Sequence, residues 1–433
     1  MTQVENHEFS KLKQDEVAIV MVPFPSQGHL NQLLQLSCLI SSYHLPIYYV
    51  GLATHNHQAR IRAKVLNPSN IAKIHFHDLP NPELIASSNL ETVWDVSMLL
   101  RDPIASFIRD ISSKVRRVVV VHEPMMSYNV QDVSSLPNAE SYIFNSISVF
   151  SCYIMMCLFL KISGQHEEEL LKKLYSFEGV TTDEAMDFSD SQHPYMDIRS
   201  GDIHNTSKVI ESKYIDLMEQ AEISLNKKQW AIGPILPAKL DCNLNRENIC
   251  LDWLNKQPPR SVLYVSFGTI TSFSDKQIKE LMMGLEHSKQ RFIWVLRDVD
   301  RGDIFKGKLE KLSCLQDLRK ERFMSHCDWN SCLESITMGV SIAAWPIHTD
   351  QPINGFLVTE ILKIGLLVRD WGKREEVVSA STIKNVVRKL MASEEGGLIR
   401  KRAEELGEAV RQSTDKGGAS QIELDSFIAH ITR

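Results

Sequence analysis

Residues 17–40, VAIVMVPFPSQGHLNQLLQLSCLI, decide the fold. The apolar run VAIVMV, bounded by Pro23 and Pro25, reads as a strand buried on both faces. Leu30, Leu33, Leu34 and Ser37 then share one face of a helix. Between them Gly28 allows a tight turn and sets His29 near a helix start, at the mouth of a sheet. Strand, turn and helix make half of a βαβ unit, the building block of a parallel sheet.

The pattern repeats outward. PIYYVGLA (46–53), VRRVVVVHEP (115–124) and AESYIFNS (139–146) read as further strands. Residues 167–191 are acidic, polar and poorly periodic, a surface helix and loop. After QWAIGPILP (229–237) a Pro- and Asn-containing stretch breaks the pattern, which places a linker at 236–248. A second set then begins with SVLYVSFGT (261–269), RFIWVLRD (291–298), SIAAWPI (341–347) and the end of ILKIGLLVRDW (361–371). SDKQIKELMMGLEHS (274–288) opens with a Ser274-x-x-Gln277 capping box, and 381–412 is helical. The expected class is α/β: two parallel-sheet domains, 1–235 and 249–415, facing across a cleft. Residues 416–433 form a last helix packed back on the first domain.

A length of 433 residues fits two cores better than one. The net charge of −6 argues against nucleic-acid binding, which needs a basic surface. The polar start lacks the apolar core of a signal peptide, and the eight cysteines lack a CxxC pair, so a cytoplasmic chain with reduced thiols is expected. VFSCYIMMCLFL (149–160) is too short to span a membrane and reads as a core helix.

Chemistry concentrates at the strand ends. His29 stands where a general base would be placed; a helix-initiating polar turn explains it equally well. Glu123 ends another strand at the same edge and would orient His29, unless it is only a solvated loop residue. His122 beside it reads as packing. Gly268 and Thr269 would bring N–H groups and a hydroxyl to a phosphate. SHCDWNSCLES (325–335) admits three readings. As a metal site it fails, because His326, Cys327 and Asp328 are consecutive and do not converge on one ion. As a Cys–His pair it fails because sequence neighbours point apart. As a helix start it works: Leu333, Ile336 and Thr337 share a face, Gly339 stops the helix, and Asn330 and Ser331 join free N–H groups in an anion site. Glu334, one turn on, would accept sugar hydroxyls. In AWPIHTDQ (344–351), Asp350 and Gln351 would do the same.

With these residues in view, FMSHCDWNSCLESITMGVSIAAWPIHTDQ (323–351) resembles the C-terminal part of the signature box of plant UDP-dependent glycosyltransferases of small molecules. PFPSQGHLNQLLQLS (23–37) resembles their active-site turn, and IWVLRDVDRGDIF (293–305) and NAESYIFNS (138–146) resemble the zeatin O-glycosyltransferase branch. The resemblance implies a GT-B fold of two Rossmann-like domains and metal-independent transfer of glucose or xylose, with inversion, to a zeatin-like hydroxyl. A UDP-sugar is then a co-substrate, no cofactor is needed, and the partners are small molecules, with no nucleic acid or membrane, for a monomer. His29 would be the base and Glu123 its partner. His326, Asn330 and Ser331 would hold the diphosphate and Thr269 its far side; Glu334 would hold the ribose, and Trp329, Asp350 and Gln351 the sugar.

The chain departs from that family at three places. KLEKLSCLQDLRKER (308–322) replaces a Trp-x-Pro-Gln segment and reads as a short helix, which shortens the second domain. Loss of an aromatic under the base removes roughly 1–3 kcal/mol of stacking. Asp328 stands for Gly: a carboxylate about 5 Å from a diphosphate charge costs on the order of 3 kcal/mol at a dielectric of about 20, and far less as an outward helix cap. Glu123 stands for Asp, one methylene longer. The alternative to an active enzyme is therefore a homologue that binds the acceptor and has lost donor affinity. A metal-dependent transferase built on Asp298–Asp300 is a third, weaker reading.

Overall fold

The computed structural model describes residues 16–63, 73–80, 93–159, 170, 174, 182–220, 225–236, 249–268, 273–295 and 322–433. Thr269, the Asp298–Asp300 motif, the 308–321 segment and most of the linker lie outside them.

Seven parallel strands form the first sheet: β1 (Val17–Val22), β2 (Ile47–Leu52), β3 (Ile74–Leu79), β4 (Arg117–His122), β5 (Ala139–Asn145), β6 (Gly201–His204) and β7 (Lys228–Ala231). Their order is β3-β2-β1-β4-β5-β6-β7. The second sheet contains β8 (Val262–Ser266), β9 (Arg291–Trp294), β10 (Arg322–Ser325), β11 (Ile342–Ala344) and β12 (Gly365–Leu367), in the order β12-β11-β10-β8-β9. All described pairings in both sheets are parallel.

The unbroken apolar runs of β1 and β4 follow from their central place. Ile19, Met21, Val119 and Val121 enter the core on one face of the sheet. Ala18, Val20, Val118 and Val120 enter the core on the other, because strand side chains alternate. The helix Gln27–Ser41 buries Leu30, Leu33, Leu34 and Ser37, as its periodicity predicts. The helix Val149–Phe159 buries Val149, Phe150, Tyr153, Ile154 and Cys157. Ser274 caps the helix Asp275–Ser288 by accepting from Gln277 N–H. The Gln277 side chain pairs with the Val378 backbone rather than returning to the cap, so only half of the capping box forms.

Four strands escape the periodicity reading: β3, β6, β7 and β10. β3 alternates polar and apolar residues over a half-buried surface, and the other three are four residues long. The acidic stretch holds the helix Asp183–Met196, capped by Thr182. The last helix, Ala419–Thr432, places Leu424, Phe427, Ile428 and Ile431 in the core of the first sheet.

Candidate active site

In each sheet the strand order reverses once, between β1 and β4 and between β8 and β10. Segments leaving the carboxyl ends of such strands diverge to opposite faces and open a crevice. The expected site residues follow from that topology: His29 and Glu123 leave β1 and β4, Gly268 and His326 leave β8 and β10.

At the first crevice His29 is the third residue of its helix. Its Nδ1 lies 3.1 Å from Glu123 Oε2. Ser146, just past β5, donates its hydroxyl to the same Oε2 at 3.0 Å and lies 3.2 Å from His29 Nδ1. Glu123 is wholly buried, so it is no solvated loop residue, while the His29 side chain keeps 33% of its exposure. The pairing sets a proton on Nδ1 and leaves the lone pair on Nε2. Burial works against a charged ring, but the charge and hydrogen bond of Glu123, helped by Asp350, outweigh it and raise the His29 pKa. Phe24 meets His29 edge-on at 5.4 Å and stacks on Trp94, which touches Phe188 at 4.9 Å, so the base stands beside an aromatic wall. His122 is buried, with its pKa pushed down to about 4 by that burial, and packs as a neutral ring.

At the second crevice the chain leaves β10 through Cys327, whose left-handed backbone (φ 67°) turns it into the helix Trp329–Met338. Gly339 ends that helix in the left-handed conformation at φ 68°. Leu333, Ile336 and Thr337 are buried, as their spacing predicts. Asp328 is the N-cap: its Oδ1 accepts from Ser331 N–H at 3.2 Å and lies 3.4 Å from His326 Nε2. It is therefore a capping carboxylate, and it caps while lying against His326. Burial and the Asp328 charge raise the Glu334 pKa to about 7.

Gly268 has φ 75°, and a Cβ there would come within 2.7 Å of His326 Nε2. Gly268→Ala is expected to strain the turn and displace that imidazole, raising the donor KM about tenfold with the fold intact, one unit in log K for roughly 1.4 kcal/mol. Steady-state kinetics beside a thermal melt check it; an unchanged KM removes His326 from donor binding.

Three residues expected at the sugar also make hydrogen bonds within the protein. The Trp329 indole is buried and donates from Nε1 to Asn205 O at 2.8 Å, so its side chain joins the two sheets instead of offering a polar group to a sugar. Gln351 Oε1 accepts from Ile347 and His348 N–H and shapes its own loop. Asp350 accepts from Asn354 Nδ2 at 2.7 Å and from Thr349. Asn354 Oδ1 in turn accepts from Ser148 and Ser151, a second polar seam between the halves.

Sequence reasoning passed over Ser146, Gln32, Asn205 and Asn354. Ser146 carried the same signal as Glu123, a polar residue ending a strand at that edge. Gln32 carried a second signal, a polar side chain on the buried face of the His29 helix. Among the described residues no group of three or more His, Cys, Asp or Glu could hold a metal ion. No described helix is long and apolar enough to cross a membrane.

Residues 15–237 match the model of the glycosyltransferase N-terminal domain, and residues 197–391 that of the UDP-glucoronosyl and UDP-glucosyl transferases. A zeatin O-glucosyltransferase of Phaseolus lunatus is 41% identical over 96% of this chain and 97% of its own. The chain belongs to the plant UDP-glycosyltransferase family. A zeatin O-xylosyltransferase of Phaseolus vulgaris is 40% identical over 96% of this transferase and 98% of itself. The structure of Phytolacca americana UGT2 complexed with UDP-2fluoro-glucose and pterostilbene superimposes with a TM-score of 0.77 at 21% identity, covering 96% and 100% of the two chains. The fold is thus GT-B. The alignment with the Phaseolus lunatus enzyme runs over 463 positions, against 433 residues here, so at least 30 of its positions have no counterpart in this transferase. These relatives give no support to the impaired-homologue alternative.

Proposed function

We propose that this transferase moves glucose or xylose from a UDP-sugar, with inversion, to the hydroxyl of zeatin or a similar cytokinin. The observation that carries the reading is the joining of two crevices. The paired His29 stands at one, the helix start capped by Asp328 at the other, and Asp350, after the second sheet's β11, acts electrostatically on His29.

His29 Nε2 takes the proton of the acceptor hydroxyl as its oxygen attacks the anomeric carbon. Glu123 stabilises the imidazolium that forms. The bond from the anomeric carbon to the diphosphate breaks, and UDP leaves. Its charge is held by the first-turn N–H groups of the helix Trp329–Met338 other than that of Ser331, which Asp328 takes, with the side chains of Asn330, Ser331 and His326, and by Thr269. Glu334 takes the ribose; Asp350 and Gln351 take the sugar. Trp329, its indole committed to Asn205, has only its backbone N–H for the sugar. Trp94, partly exposed and backed by the buried Phe24 and Phe188, offers an aromatic surface for a planar acceptor. The names of the two Phaseolus relatives support the acceptor class and leave glucose and xylose both open.

The same proposal includes a domain division at 236–248 and a monomer, since one chain supplies both crevices. It also includes a cytoplasmic setting, consistent with free thiols at Cys38, Cys152, Cys157, Cys327 and Cys332. Transfer assays with trans- and cis-zeatin against UDP-glucose and UDP-xylose, with and without EDTA, test it. Product from at least one pair, undiminished in EDTA, is expected. No product from any pair sinks the function, and loss in EDTA sinks the metal-free mechanism.

A further inference from the structure

We propose that Ser146 is a positioning residue that fixes the tautomer and orientation of His29 together with Glu123, and that Gln32 holds Ser146 in place. This rests on the reading of His29 as the base.

The three polar atoms form a closed triangle: His29 Nδ1 to Glu123 Oε2 at 3.1 Å, Ser146 Oγ to Oε2 at 3.0 Å, and Ser146 Oγ to Nδ1 at 3.2 Å. A hydroxyl has one proton, and here it goes to the carboxylate, which accepts only. The lone pairs of Ser146 Oγ are then free to receive the Nδ1–H of His29, alongside Oε2. Of the two neutral tautomers only one satisfies every atom of the triangle, the one with the ring proton on Nδ1 and the lone pair on Nε2.

Glu123 depends on this arrangement. It is wholly buried, and its Oε1 has no partner among the described residues, so Ser146 is its hydroxyl donor. Removing that donor leaves an under-solvated buried carboxylate. The ring it orients then loses its fixed geometry.

Ser146 is itself held. Gln32, one turn after His29 on the same helix, donates from Nε2 to Ser146 O at 2.8 Å. Gln32 Oε1 accepts from Asn205 Nδ2 at 2.8 Å, and Asn205 O accepts from the Trp329 indole. Gln32, Asn205 and Ser146 are all buried. The base and its positioning group are therefore tied by one hydrogen-bonded chain to the helix expected to hold the diphosphate. A surface serine near a histidine would have no such anchoring.

Ser146→Ala is expected to lower kcat about tenfold, the usual effect of losing a hydrogen bond to a charged group, with the donor KM unchanged. Ser146→Thr, which keeps the hydroxyl, is expected to recover most of that loss. Nitrogen NMR of labelled histidine, with His29 assigned from the His29→Ala spectrum, is expected to show an Nδ1–H ring in the native protein and mixed tautomers in Ser146→Ala. Gln32→Met frees the Ser146 carbonyl without touching Ser146 and is expected to lower kcat about threefold, so it stands in if Ser146→Ala does not fold. An unchanged kcat, a loss confined to the donor KM, or a loss with the tautomer unmoved overturns the proposal. If His29→Ala is inactive while Ser146→Ala is fully active, only the role of Ser146 fails. If His29→Ala is active, the base assignment fails with it.

Discussion

Replacing His29 by alanine is expected to lower kcat by about 10²–10⁴-fold, the range supplied by one positioned general base. The residue leaves the end of β1 at the first switch point, and its Nδ1 is committed to Glu123 and Ser146. Donor binding is expected to survive, because the groups proposed for the diphosphate sit on the second sheet; titration calorimetry with UDP checks that separately from turnover. The pH profile follows from the same pairing. The base acts only when neutral, and its pKa is raised, so kcat/KM falls as pH drops through that raised value and levels off above it. Glu123→Gln removes the carboxylate that raises the pKa, so the acid limb moves to lower pH while the rate falls. A His29→Ala enzyme that turns over normally ends the assignment, as does an acid limb that stays put in Glu123→Gln.

Trp230→Ala is expected to destabilise the first domain by about 3–5 kcal/mol, the cost of emptying a large buried aromatic site. The side chain is fully buried on β7, and the last helix closes over it: Phe427 lies at 5.3 Å, His430 at 5.0 Å, and Tyr142 of β5 at 6.0 Å. Its Nε1 reaches Ser426 Oγ at 3.4 Å, and Lys228 Nζ stands 4.8 Å from the ring centre. Gly201 of β6 makes the space, since a Cβ there would come within 2.5 Å of the ring. Urea denaturation measures the loss. Hydrogen exchange localises it, with faster exchange expected across Ala419–Thr432. A variant with native stability, or one whose last helix stays fully protected, contradicts the role of Trp230 as the anchor of that helix.

The chain order of strands and helices was readable wherever burial imposes a pattern. β1, β4 and β8 lie inside their sheets and are apolar throughout or nearly so, which a local window detects. β6, β7 and β10 are four residues long and carry charged or polar residues such as Asp202, Lys228, Gln229 and Arg322. Their pairing comes from neighbours far along the chain, so no local window reports it. In the site, His29 and Glu123 were legible as polar residues at strand ends. Ser146 went unmarked because its importance depends on which strand lies beside β4.

The amino-acid sequence by itself determined the α/β class, the two sets of alternating elements, the helix start at Asp328 and the family. All of these depend on local periodicity, caps and motif spacing, which are properties of neighbours along the chain. Only the tertiary structure decided that Glu123 is buried against His29, that Ser146 completes the pair, and that the Trp329 indole joins the two sheets. The physical reason is common to all three. A hydrogen bond acts over about 3 Å, and the partners of His29 lie far away in sequence until the order of parallel strands brings them to one sheet edge.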